Sequence, residues 1–166
     1  MLIKKEIEKL LEVGFIRPID YLEWMANIVL IKKPTGEIRV CIDFRDLNKA
    51  CPKDDFPLPN IDMIIDSLAG YKMLSFMNGF LGYNQIKIKE SDQHKINFQN
   101  PWGNFFYKVM PFGLKNARAT YQRAMTSMFH DFIHKVVEVY MDDIFIKSKN
   151  KEDHVEDLRI TIERMN

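Results

Sequence analysis

Hydrophobic and polar positions in the first part of the chain predict a helix followed by a two-stranded hairpin. Apolar residues recur at helical spacing over residues 2–13, and Gly14 follows as a helix-ending residue. Residues 26–33 and 38–43 are rich in Ile and Val, which favour β-strands. The Pro-Thr-Gly-Glu sequence of residues 34–37 is typical of a turn. We therefore expect the two strands to pair across this turn.

The middle of the chain predicts an extended connector, a short helix and several strands. Residues 51–60 contain three prolines, so this segment cannot form a helix. Residues 61–68 predict a short helix that ends at Gly70. The other segments with a strand pattern are residues 72–77, 83–89, 95–99 and 104–110, of which the last two form a hairpin.

The last third of the chain predicts an amphipathic helix, a hairpin and a final helix. Apolar side chains fall on one face of residues 119–134, at helical spacing. Two short apolar strands, residues 136–140 and 144–147, meet at a pair of aspartates. A final helix begins near residue 151. Its predicted buried face consists of three apolar residues, Val155, Leu158 and Ile162.

Composition adds that the chain is able to form a core and carries almost no net charge. The 166 residues are 46% hydrophobic and 28% charged, which excludes a disordered chain. Because the formal net charge is +1, a site for a polyanion has to come from local clustering of basic residues. No apolar run is long enough to span a membrane, and the charged N-terminal residues exclude a signal peptide. We therefore expect an intracellular protein with no membrane partner, in a compartment that the sequence does not indicate.

The most chemically informative feature is the Asp142–Asp143 pair between two apolar strands. Consecutive side chains of a strand point to opposite faces, but a tight turn can bring both carboxylates to one edge. A solvated turn is the simpler interpretation, because aspartate is common in turns. The apolar flanks favour a second interpretation, in which the two acids lie at the edge of a core and bind Mg²⁺.

Five segments in the same order resemble the motifs of reverse transcriptases, most closely those of plant Gypsy-type retrotransposon polyproteins. The segments are RVCIDFRDLNK at 39–49, FPLP at 56–59, SFMNGFLGYNQI at 75–86, VMPFGLKNA at 109–117 and YMDD at 140–143. The resemblance implies an α+β fold of the right-hand polymerase type, with an antiparallel palm sheet, packed helices and a fingers hairpin. It implies that residues 1–70 and 84–115 are fingers-like and that residues 71–83 and 116–166 form the palm. The thumb and RNase H parts of the family would lie outside this chain.

The resemblance also implies a site for two Mg²⁺ ions, with Mn²⁺ as a possible substitute. Asp142 and Asp143 match two of the three metal-binding carboxylates of the family, and the backbone carbonyl of Gly79 matches a further ligand. The third carboxylate position falls on Asn78. An amide oxygen can bind Mg²⁺ but does not neutralise its charge, so we expect RNA-directed DNA polymerase activity to be strongly reduced. The alternative is a catalytically inactive retrotransposon remnant that at most binds nucleic acid.

Four residues match nucleotide-binding positions of the family. Lys32 and Arg39 match residues that contact the incoming triphosphate, a role that suits their charges. Tyr83 matches the side chain that discriminates between deoxyribose and ribose, and Phe112 matches a position next to the nucleotide. Without the motifs, the two cations would be assigned to a solvated hairpin tip, Tyr83 to packing beside Gly82 in a sheet, and Phe112 to core packing. The implied partners are dNTPs and an RNA or DNA primer–template, and a third class, an unrelated metal-dependent hydrolase, fits the five ordered motifs poorly.

Overall fold

The computed structural model describes residues 2–20, 24–32, 34, 36, 38–79 and 82–165. In chain order the elements are α1 (Leu2–Glu12), β1 (Ile16–Pro18), β2 (Ile28–Lys32), β3 (Ile38–Ile42), α2 (Arg45–Ala50), α3 (Ile61–Leu68), β4 (Met73–Asn78), a 3₁₀ helix (Gly82–Gln85), α4 (Glu90–Gln93), β5 (Asn97–Asn100), β6 (Gly103–Tyr107), α5 (Ala117–Met128), β7 (Val137–Tyr140), β8 (Asp143–Ser148) and α6 (His154–Met165). Five positions within the predicted elements and motifs lie outside the described residues: Lys33, Thr35, Glu37, Phe80 and Leu81. Helices combined with antiparallel sheets confirm the predicted α+β class.

The chain divides into two units, each formed by two separate stretches of sequence. The first unit comprises residues 1–53 and 83–117, and the second comprises residues 54–82 and 118–166. Residues 54–70, which the motif resemblance grouped with the fingers-like part, thus belong to the second unit. No helix in the described part of the chain is long and apolar enough to cross a membrane.

The first unit is built on a three-stranded antiparallel sheet and a separate hairpin. The sheet has the order β1–β6–β5, and the hairpin pairs β2 with β3. Helix α1 buries Ile7, one of the apolar residues that predict this helix, in the same core as Ile16, Phe98 and Phe105. Gly14 lies two residues after the end of α1 and has a φ of 72°, which only glycine adopts without strain. This left-handed conformation terminates the helix, as the sequence predicts. Local periodicity therefore predicts helix α1 and the β2–β3 hairpin correctly.

The prediction of a strand over residues 83–89 is wrong. Residues 82–85 form a 3₁₀ helix instead, and the amide of Ile86 donates to the carbonyl of Tyr83 at 3.1 Å. Tyr83 and Asn84 are both buried, which an alternating strand with one buried face does not allow. The apparent alternation in the sequence thus reflects a compact turn rather than an extended chain.

The second unit is built on a three-stranded antiparallel sheet with the order β4–β8–β7. Strand β8 is central and buries Ile144 and Ile146 completely or almost completely, at 2% and 0% exposure. Helix α3 begins at Ile61 and is capped by Asn60, whose side chain accepts a hydrogen bond from the amide of Asp62. The hairpin of β7 and β8 confirms the two strands predicted on either side of the paired aspartates.

The extended connector after residue 53 belongs to this unit because it is bound to α5. The Arg123 guanidinium donates to both carboxylate oxygens of Asp54, at 2.8 and 2.7 Å. The same guanidinium lies over the ring of Phe56, 4.8 Å from its centre. The Phe56 amide and the Arg123 side chain both lower the pKa of Asp54. These contacts explain why the boundary between the units lies directly before Asp54, inside the predicted connector of residues 51–60.

Two predictions about the helices of this unit need correction. Helix α5 ends at Met128, six residues before the predicted end, and the following residues form turns. Helix α6 buries His154 and Thr161, whereas Val155 is 75% exposed and Ile162 is 45% exposed. The face of α6 is selected by hydrogen bonds that helical periodicity does not reveal. His154 lies 2.8 Å from the hydroxyl groups of both Ser75 and Ser148.

Candidate active site

The register of the second sheet brings position 78 next to the tandem aspartates. Asn78 is the last residue of β4 and pairs with Asp143, the first residue of β8. Because paired positions project their side chains to the same face, the two side chains meet. The Asn78 Nδ2 donates to the Asp143 Oδ1 at 3.1 Å. The convergence that the motifs imply for positions 78 and 143 is therefore present.

Asp142 differs from Asp143 in its burial. Asp143 is exposed, whereas Asp142 is partly buried, and its Oδ1 is a buried atom without a hydrogen-bond partner among the described residues. Burial, followed by repulsion from Asp143, raises the pKa of Asp142 above its ordinary value, and Arg118 opposes this increase. A buried carboxylate oxygen beside a second carboxylate is a favourable place for a cation.

Gly79 connects the two sides of this site through its backbone. The Gly79 amide donates to the Asp142 carbonyl at 2.8 Å, and the Gly79 carbonyl accepts from the Gly82 amide at 3.1 Å. A Cβ atom at position 79 would lie 2.7 Å from the hydroxyl oxygen of Tyr121, which is closer than real Cβ contacts. The position therefore requires glycine because a neighbouring side chain fills the space, and the carbonyl that the motif assigns to metal binding already accepts one hydrogen bond.

Two functional candidates on α5, Tyr121 and Gln122, were not identified from the sequence. Tyr121 belongs to the apolar stripe of residues 119–134, which periodicity assigns to the core, and Gln122 is the polar residue next to it. The Gln122 side chain is 3% exposed and hydrogen-bonds to the backbone on both sides of Tyr140. A polar residue next to the apolar stripe of a helix was the one available signal. That signal does not identify a partner, because the contact spans 17 to 19 sequence positions.

The four predicted nucleotide-binding residues all belong to the first unit. Lys32 and Arg39 lie on the paired strands β2 and β3 and are exposed, at positions that face Ile38 and Ile31 across the hairpin. Tyr83 and Phe112 form an edge-to-face pair, with ring centres 4.8 Å apart and an interplanar angle of 85°. Tyr83 is 6% exposed and Phe112 is 58% exposed, so core packing accounts for Tyr83 but not for Phe112.

A second metal site would need a cluster of metal-binding side chains elsewhere in the ranges that the structure describes. No group of three or more His, Cys, Asp or Glu side chains converges there in a way that would hold a metal ion. The two cysteines, Cys41 and Cys51, are free thiols. The Asp142–Asp143 turn with Asn78 therefore remains the principal candidate for chemistry.

The chain is similar to polyproteins of known retrotransposons. The chain is 35% identical over 158 residues to the retrovirus-related Pol polyprotein from transposon gypsy of Drosophila melanogaster, covering 92% of this chain and 15% of that protein. It is 34% identical over 164 residues to the Pol polyprotein from transposon opus of the same organism, covering 96% of this chain and 16% of that protein. The chain thus spans less than a fifth of the length of these relatives.

Solved structures with the same fold include the foamy viral protease–reverse transcriptase in complex with an RNA/DNA hybrid. That match has a TM-score of 0.88 and 20% identity, and it covers 98% of this chain and 22% of the other. The native prototype foamy virus protease–reverse transcriptase has a TM-score of 0.85 and 20% identity, covering 96% and 21%. The family model described as "Reverse transcriptase (RNA-dependent DNA polymerase)" matches residues 31–166. The chain therefore belongs to the reverse transcriptase family.

Proposed function

We propose that this domain is the fingers and palm of an RNA-directed DNA polymerase whose nucleotidyl transfer is weakened by the amide at position 78. The proposal depends on one observation, the pairing of Asn78 with Asp143 at the end of β4 and β8. This register supports position 78 as a member of the same site as Asp142 and Asp143. The reaction would add a dNTP to the 3′ end of a primer and release pyrophosphate.

The donor set fits a divalent cation. The Asp142 Oδ1 is buried without a hydrogen-bond partner among the residues described, and Asp143 supplies a second carboxylate on the adjacent residue. Carboxylate and carbonyl oxygens are the ligands that Mg²⁺ prefers, so Asp142, Asp143 and the carbonyl of Gly79 are the proposed ligands. When bound, two such ions would stabilise the negative charge of the transferred phosphoryl group and of the leaving pyrophosphate. Mn²⁺ is the expected substitute.

Asn78 weakens this site in two ways. Its amide is neutral, so the site has two carboxylates instead of the three that the family motif implies. Its Nδ2 also donates to the Asp143 Oδ1 at 3.1 Å, so that oxygen already has a partner. Charge stabilisation by a metal contributes several kcal/mol, and every ~1.4 kcal/mol changes the rate tenfold. A loss of about 100-fold or more in the rate of nucleotide addition follows.

The first unit supplies the proposed nucleotide-binding residues. Lys32 and Arg39 are exposed cations, and a triphosphate is a suitable partner for both. The exposed ring of Phe112, supported edge-to-face by Tyr83, would pack against the base or sugar of the dNTP. The proposed polymer partner is an RNA or DNA primer–template. Nucleic acid bound to the structural relative of the same fold supports this choice.

Primer extension on a primed RNA template, in Mg²⁺ and separately in Mn²⁺, tests the proposal. We expect weak extension by the native domain, at least 100-fold stronger extension by Asn78→Asp, and none by Asn78→Asp combined with Asp142→Asn. The double variant is the matched control because it has the same number of carboxylates as the native chain. Extension that is equal in the native domain and in Asn78→Asp would contradict the proposed role of position 78.

The second candidate function is nucleic-acid binding without catalysis, which the loss of a carboxylate at Asn78 favours. Fluorescence anisotropy with a labelled RNA/DNA hybrid distinguishes the two. Binding by the native domain without any extension, together with extension by Asn78→Asp, would support this second function and contradict the first. An affinity that falls with increasing salt concentration is expected in either case.

A further inference from the structure

Helix α5 presents a buried amide to the turn that carries the two aspartates. The Gln122 Nε2 donates to the Val139 carbonyl at 3.2 Å, and the Gln122 Oε1 accepts from the Met141 amide at 2.9 Å. The side chain is 3% exposed, so water does not compete with these bonds. Both ends of one amide are therefore bonded to backbone groups on either side of Tyr140.

The turn needs such support because its backbone is strained. Met141 has a φ of 52°, in the left-handed region that side chains other than glycine disfavour. Tyr140 and Asp143 pair across the turn, so the conformation of Met141 determines the direction in which Asp142 leaves β7. A hydrogen bond to the Met141 amide stabilises this conformation, and the Gln122 Oε1 provides it.

The neighbouring residue on the same helix contacts the other side of the site. The Tyr121 hydroxyl oxygen lies 2.7 Å from where a Cβ atom of Gly79 would be, and 2.6 Å from the corresponding point at Gly82. The Gly79 amide in turn donates to the Asp142 carbonyl at 2.8 Å. Tyr121 and Gln122 thus contact the backbone that follows Asn78 and the backbone of the aspartate turn, respectively.

We propose that Gln122 is a positioning residue that holds the Asp142–Asp143 turn in the conformation that binds a divalent cation. It acts through the backbone of Val139 and Met141 and does not contact the ion. The effect of Gln122 on ion binding rests on the proposed function, whereas its stabilisation of the turn does not. Outer residues that orient metal ligands commonly change metal affinity by 10- to 100-fold, which sets the size of the expected effect.

The test uses Gln122→Met, which keeps the length of the side chain and removes both hydrogen bonds. The parent is Asn78→Asp, and the matched control is Gln93→Met. Gln93 also donates to a backbone carbonyl, that of Ile88, at 3.0 Å, but belongs to the other unit. Mn²⁺ affinity is measured by the electron paramagnetic resonance signal of free Mn²⁺. Hydrogen exchange of the Met141 amide is measured in the metal-free protein.

We expect Gln122→Met to weaken Mn²⁺ binding by about 10-fold or more and to accelerate exchange at Met141, with neither change in the Gln93→Met control. Unchanged Mn²⁺ affinity with a binding parent would overturn the positioning role and leave the proposed function intact. If the Asn78→Asp parent does not bind Mn²⁺, the proposed function is overturned instead. In that case hydrogen exchange still tests Gln122: an exchange rate of the Met141 amide that Gln122→Met leaves unchanged would show that Gln122 does not stabilise the turn. If Gln122→Met does not fold, Gln122→Glu replaces it. Glutamate keeps the oxygen that accepts from the Met141 amide, so fast exchange at Met141 in this variant would also contradict the proposal.

Discussion

The Asn78→Asp substitution replaces a hydrogen-bond donor with a third negative charge beside Asp143. In the native chain the Asn78 Nδ2 lies 3.1 Å from the Asp143 Oδ1 and donates to it. An aspartate at position 78 loses this bond and adds repulsion, because it places a second carboxylate directly beside that of Asp143. Position 78 therefore has opposite effects on the metal-free and metal-bound protein. We expect Asn78→Asp to be less stable than the native chain in EDTA and to gain more stability from divalent ions.

The size of the loss follows from the contact distance and from exposure. Two unit charges at this distance repel by about 1 kcal/mol in water, the appropriate medium because both residues are exposed. A lost hydrogen bond at an exposed site adds about 1 kcal/mol, so the total is about 2 kcal/mol. For a domain of this size, that loss lowers the melting temperature by about 4–8 °C. Mg²⁺ at 100 times its dissociation constant would return about 2.7 kcal/mol.

Thermal denaturation in EDTA and across a Mg²⁺ series measures both effects. The matched control is Asn150→Asp, because the Asn150 Nδ2 also donates to an aspartate oxygen, that of Asp153, at 3.1 Å and in an exposed position. The control is expected to show a similar loss in EDTA, and Mg²⁺ should restore it much less. An Asn78→Asp variant that is as stable as the native chain in EDTA would refute the proposed contact. A gain from Mg²⁺ no larger than that of Asn150→Asp would refute the role of position 78 in metal binding.

Three further predictions concern the packing around the same sheet. Gly79→Ala should destabilise the protein by about 1–3 kcal/mol. Tyr121→Phe should rescue this variant, because only the Tyr121 hydroxyl oxygen lies closer than 3.4 Å to the added Cβ atom. The same change should not rescue Gly82→Ala, because a ring carbon of Tyr121 lies 2.8 Å from the Cβ atom added at position 82. Denaturation of the double variants in urea measures this difference, and equal rescue at both positions would contradict it. Lys147→Met should lower the free energy of unfolding in urea by about 3–5 kcal/mol, because it leaves the buried carboxylate of Glu138, 3% exposed, without its lysine partner. A loss below about 1 kcal/mol would argue against a buried ion pair. Deamidation at Asn78 should be much slower in the folded protein than in urea. The backbone nitrogen of Gly79 must attack the Asn78 side chain, and in the folded protein its N–H already donates to the Asp142 carbonyl at 2.8 Å. An equal mass gain at Asn78 in peptide mapping under both conditions would contradict this reasoning.

The sequence predicted those elements whose signal is local. Helix α1, helix α3 and the β2–β3 hairpin each bury or pair residues within one short segment, so periodicity and turn residues were sufficient. The same reasoning failed over residues 83–89 and at the end of α5, where two consecutive buried residues and a series of tight turns replaced regular structure. A short segment with mixed burial gives no reliable period, and tertiary contacts then decide its conformation.

The sequence motifs identified the residues of the candidate site but not the contacts between them. The tandem aspartates and the position of Asn78 were identified before their geometry was known, because the motifs carry the correspondence between them. Their contact is between residues 65 positions apart and depends on how β4 and β8 pair. A shift of one residue in that register would turn the Asn78 side chain to the other face of the sheet.

By itself, then, the sequence determined the class of fold, the strands and helices with clear periodicity, and the residue types available for chemistry. Only the tertiary structure decided which atoms meet: the Gln122 amide at the Met141 backbone, the Tyr121 hydroxyl beside Gly79, and the hydroxyl groups of Ser75 and Ser148 at His154. The physical reason is that hydrophobic burial is roughly proportional to area and is readable from spacing, whereas hydrogen bonds and close contacts depend on distances of a few tenths of an ångström. Such distances are fixed only when separate parts of the chain have packed together.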